Sequence, residues 1–183
     1  MKKFLISSFV TVFALLAVLV VPLSVTKVSA DSGSASYDYL IGSGFICGLG
    51  PDVCPDVAKA PNGDTVAIAG AGTLSVHPKS VSGGGTFVHK NASGDVLASG
   101  TWTATKLLSF DNYGCGGPGL PDFACGGRAQ IQVHLSVGLD AVLWVDCVLG
   151  NPPTGAMEGV RLNVPGIINF NKEVSGDTLF IKT

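Results

Sequence analysis

The stretch QIQVHLSV, Gln130–Val137, alternates without interruption. Ile131, Val133, Leu135 and Val137 fall on one side and Gln130, Gln132, His134 and Ser136 on the other, because successive side chains of an extended chain point to opposite faces. A half-buried β-strand turns this spacing into one apolar face, whereas a helix would scatter it.

Working outward, similar runs occur at Ala35–Ile46, Thr65–His77, Thr86–Lys90, Val96–Phe110, Ala141–Leu149, Val160–Val164, Ile167–Phe170 and Thr178–Lys182. Turn signals separate them: APNGD (60–64), KNASGD (90–95), GNPPTG (150–155) and VSGD (174–177). Outside the first thirty residues no window has the spacing of an amphipathic helix. The expected fold is all-β, an antiparallel sandwich or barrel of about eight to nine short strands in one domain, residues 31–183. GTL (72–74), GTF (85–87) and GTW (100–102) repeat a Gly-Thr-bulky pattern, as three consecutive strands of a meander would. Trp144 lies between apolar neighbours on both faces of its strand, which suits a barrel wall with a dry interior.

Location is written at the N-terminus. Lys2 and Lys3 precede the apolar run FLISSFVTVFALLAVLVVPL, and VSA closes the segment before Asp31. This is the layout of a secretory signal, residues 1–30, cut after Ala30. The alternative is an uncleaved anchor, since Phe4–Leu23 is long enough to cross a hydrocarbon layer of about 30 Å. Removing Lys2, Lys3 and Lys27 from the eleven basic residues leaves eight against thirteen acidic ones, a net charge of −5. Such a chain lacks the basic footprint of a nucleic-acid binder and any polybasic patch for anionic lipid, so neither nucleic acid nor, after cleavage, membrane is an expected partner.

All five cysteines lie beyond the signal. In an oxidising compartment the expected pairs are Cys47–Cys54, across GLGPDV, and Cys115–Cys125, across GGPGLPDFA. Cys147 is left as a small buried hydrophobe. The spacings C-x6-C and C-x9-C do not match zinc knuckles, and no metal or other cofactor is expected. The segment DNYGCGGPGLPDFACGG, Asp111–Gly127, then reads as a surface loop stapled at its base, with Asp111, Tyr113, Asp122 and Phe123 as a recognition rim.

Signals for catalysis are sparse, and no catalytic residue is assigned. His77, His89 and His134 sit at polar positions or ends of alternating runs; gathered on one sheet face they would bind a metal or act with Asp111 or Asp146. GSG (42–44) is no nucleophile elbow, and GAG and GGG open no phosphate-binding helix. Asp140, Asp146 and Glu158 are the available acids for glycosidase chemistry. NAS (91–93) is a glycosylation sequon in a turn. The expectation is a secreted, non-catalytic binding or structural protein, with an extracellular polymer or surface protein as partner. One alternative is a barrel holding a small apolar ligand as an isomerase or cyclase, with His134 or Asp146 pointing inward. A second is a hydrolase using dispersed Asp and His residues.

Overall fold

The alternating runs form strands of a single antiparallel sheet. The computed structural model describes residues 34–183, so the predicted signal segment lies outside the described residues. The strands are β1 (Ser36–Ile41), β2 (Asp56–Lys59), β3 (Thr65–Ser75), β4 (Ser80–Lys90), β5 (Val96–Gly117), β6 (Leu120–Leu135), β7 (Leu139–Cys147), β8 (Gly159–Val164), β9 (Ile168–Phe170), β10 (Lys172–Ser175) and β11 (Thr178–Lys182). There are eleven strands where eight or nine were expected. The additions, β2 and β10, have four residues each, and each turns an acid, Asp56 or Glu173, to the buried side and its valine to the other, so no apolar alternation marks them.

The pairings return on themselves. β3 pairs with β4, β4 with β5, β5 with β6, β6 with β11, β11 with β1, and β1 again with β3. Closure of this kind defines a barrel and removes the exposed edges that invite aggregation. A wider half branches from the same four long strands: β2 and β10 extend from β3, and β7, β8 and β9 from β6. There β10 and β8 approach each other without ladder hydrogen bonds among the described residues, and Arg161 Nε stands 2.8 Å from Glu173 Oε1 across the gap.

Glycine determines what fits inside. Gly70 and Gly72 of β3 stand opposite Gly85 and Gly83 of β4. The interior face they leave bare receives Tyr39 and Trp102, both buried. Tyr39 donates its hydroxyl proton to Ser82 O at 2.9 Å, and Trp102 donates Nε1–H to Ala69 O at 3.2 Å. Each polar end of these aromatics is thereby satisfied inside an apolar core. The Gly-Thr-bulky pattern is explained by the register. Gly85 faces Trp102 and Gly100 faces Phe87 across adjacent strands, so these two bulky side chains sit opposite bare positions, whereas Leu74 faces Val81 and Tyr37. Leu74, Phe87 and Trp102 are all buried.

The segment 111–127 is not a loop. It is the far arm of the β5–β6 hairpin, with Cys115 and Cys125 bonded as directly opposed residues. Its many glycines mask any alternation, and the ladder through it is broken by irregular register at Asn112/Gly114 and Cys115/Gly117. The chain reverses at Gly119, whose positive φ of 80° suits glycine.

A Cβ at position 72 would run into the Tyr39 hydroxyl and the Ser82 carbonyl. Gly72→Ala should therefore lower unfolding free energy by about 1–3 kcal/mol, as other over-packed cores do. Urea denaturation followed by tryptophan fluorescence measures it, and an unchanged midpoint would refute this account of the interior.

Candidate functional site

The barrel changes width halfway along, and the change leaves a seam. β1 borders β3 at Gly70–Ser75 and β2 borders the same edge at Thr65–Ile68. Likewise β11 meets β6 at Ala124–Cys125, and β7 meets it at Gly127–Leu135. Where one strand hands over to the next, the chain leaves the wall as segments 42–55, 148–158 and 175–177.

Backbone amides at such a handover lose ladder partners, and a carboxylate replaces them. Glu158 Oε2 accepts the Val148 N–H at 2.7 Å and Oε1 accepts the Thr178 N–H at 2.8 Å. Thr178 Oγ1 lies 2.9 Å from Oε1 and 2.7 Å from the Asp146 carbonyl, so its one proton serves either acceptor. Burial nevertheless holds the Glu158 carboxyl above its ordinary pKa.

Asp56 sits behind it. The residue is fully buried, and neither carboxyl oxygen has a hydrogen-bond partner. The Gly42 N–H is committed to Asp177 O at 3.1 Å. Gly176, at φ 107°, passes so close over Asp56 that any Cβ would strike its carboxyl. Burial first, then the charges of Glu158 and Asp177, raise the Asp56 pKa to about 9.

The seam opens outward as an apolar groove of about 510 Å³. Both disulfides frame it. Phe45, Ile46 and Leu49 come from the 3-10 turn Gly44–Gly48 and its exit, next to the Cys47–Cys54 bond. Leu120, Pro121 and Phe123 come from the tip of the hairpin closed by Cys115–Cys125. Leu179, Val148 and Cys147 form the floor, and Glu158, Asp177 and Thr178 are the polar groups on it. Phe45 is 61% exposed, Leu49 72% and Phe123 50%. The Cys147 thiol is free, buried, and pushed up to about 12 by burial and then by Glu158, so it is no nucleophile at neutral pH.

The predicted rim is divided. Phe123 lines the groove, whereas Asp111 and Asp122 are exposed and do not line it. Tyr113 is buried, and its hydroxyl makes a long 3.4 Å hydrogen bond to Asp146 Oδ1. Asp146 is the partner of both arginines of the chain: Arg128 Nε at 2.6 Å from Oδ1 and Arg161 Nη2 at 2.6 Å from Oδ2. Arg161 also lies over the Trp144 ring, 4.4 Å from its centroid. Trp144 and Asp146 share the face opposite Leu143 and Val145, so neither lines the barrel interior; His134 is exposed.

The histidines are separate. His89 pairs with Asp64 at 3.0 Å, His134 with Asp140 at 2.8 Å, and His77 is exposed between β3 and β4. Among the described residues no group of three His, Cys, Asp or Glu is arranged to hold a metal. Sequence reasoning missed Phe45, Leu49 and Leu120. The available signal was unpatterned apolar residues inside Gly/Pro-rich segments beside cysteines. No family model matches the chain, and no curated protein and no solved structure matches it.

Because Asp56 keeps its proton in the folded state up to about pH 9 but ionises near 4 when unfolded, stability should fall as pH rises between those values. Asp56→Asn should remove much of that fall, as read from urea midpoints across the range; an identical pH slope in the variant would count against it. Asp146→Asn leaves two partly buried guanidiniums facing an amide, and should cost about 3 kcal/mol. Equilibrium denaturation checks this, and a wild-type midpoint would show the triad to be dispensable.

Proposed function

We propose that the protein is an exported, non-catalytic binding protein that holds an apolar ligand in the groove between its two disulfide-held segments. The observation that carries this is the grouping of Phe45, Leu49, Leu120 and Phe123, exposed around one concavity. Large apolar side chains gathered at the surface forgo burial, and such patches mark interaction sites. A volume of about 510 Å³ is that of a small-molecule site.

The polar groups on the floor favour binding over chemistry. Both Glu158 oxygens are occupied by backbone and hydroxyl donors, and the Cys147 thiol stays protonated. Asp146 and His134, the residues a hydrolase would use, are engaged by arginines and by Asp140. Two disulfides fit an oxidising compartment, and no helix among the described residues is long and apolar enough to cross a membrane. The disulfides support export.

A neutral fluorophore, N-phenyl-1-naphthylamine, should brighten on binding. Phe123→Ser and Leu49→Ser should each weaken it by about 1 kcal/mol or more through lost apolar contact, with unchanged thermal midpoints because both side chains are exposed. Absence of fluorescence enhancement, or wild-type affinity in both variants, would overturn the proposal.

A further inference from the structure

Resting on the groove reading above, we propose that the ligand is an amphiphilic cation, its apolar chain in the groove and its ammonium-type head against Asp177 and Asp52. Glu158 and Asp177 line the groove and also a second recess of about 520 Å³, whose walls include Asp52 and Glu173. The two cavities therefore meet at carboxylates. No lysine or arginine lines either one.

The four acids are not equivalent. Glu173 is paired with Arg161, and Glu158 is held by Val148 and Thr178. Asp52 and Asp177 have no ion-pair partner among the described residues. Behind them Asp56, fully buried and unpartnered, presses its carboxyl against Gly159 and Gly176, the chain neighbours of Glu158 and Asp177. Asp56 registers the local field, since Glu158 and Asp177 push its pKa beyond what burial imposes.

Acids gathered where the apolar groove meets the second recess focus a negative potential there, and low-dielectric walls strengthen it. An alkylammonium head offsets that field while its chain covers Phe45, Leu49 and Phe123. A fatty carboxylate places like charge against Asp177, and a neutral alcohol gains nothing from it. Apart from Glu158, Asp177 and Thr178 the side chains lining the groove are apolar, which suits a hydrocarbon tail.

Calorimetric titration with decylammonium, decanol and decanoate, each below its micelle concentration at pH 7, tests the inference. Decylammonium should bind about fivefold more tightly than decanol, the upper worth of a partly exposed ion pair, with decanoate weakest. Raising salt should weaken decylammonium alone. The Asp52→Asn/Asp177→Asn variant should reduce decylammonium to the decanol affinity and leave decanol unchanged. Equal wild-type affinities for all three probes, or a decylammonium affinity indifferent to salt, would overturn the cation while the groove reading stands. Failure of all three to bind folded protein would overturn both.

Discussion

Closing an antiparallel sheet on itself leaves an interior of limited volume, and here two aromatic side chains occupy its narrow half. Tyr39 and Trp102 fit only because Gly70, Gly72, Gly83 and Gly85 present no side chains on the facing wall. Their polar ends bond to backbone carbonyls of β3 and β4. The same two strands are thus the floor on which the rings rest and the acceptors that orient them. The register of β4 against β3 and β5 is what brings these bare positions and the rings together.

The narrow half has a consequence for the rest of the wall. Six strands close it, whereas the wider half recruits β2, β10, β7 and β8 beside the four shared strands. A change of strand number within one barrel breaks the ladder, and broken ladders leave backbone donors that must be satisfied. Glu158 supplies two acceptors at that break, and the arginine pair on Asp146 ties β6, β7 and β8 together on the outer face. Cys47–Cys54 staples the expelled segment 42–55, and Cys115–Cys125 ties the far arm of the β5–β6 hairpin.

The candidate site is a product of the seam. The expelled segment 42–55 places Phe45 and Leu49, and the hairpin tip places Leu120 and Phe123, around a concavity that Glu158, which mends the ladder, lines together with Asp177. A site made this way is held by the sheet and stapled at both rims, and the one free thiol among the described residues, Cys147, stays protonated at neutral pH. Its chemistry is that of shape, apolar area and negative charge.

The alternation in Gln130–Val137 and its counterparts determined the β-class, and most strands, without help from tertiary structure, because a period of two admits one regular conformation. Cysteine spacing alone sufficed for both disulfides, since each joins near neighbours in the chain. The hairpin arm 111–127 escaped because glycine carries no side chain to alternate, and β2 and β10 because Asp56 and Glu173 hold buried positions in place of apolar residues. Barrel closure, the burial of Tyr113, the arginine pair on Asp146 and the meeting of Phe45 with Phe123 were decided only by the tertiary structure. Each depends on residues distant in sequence, brought together by a register that no local pattern encodes.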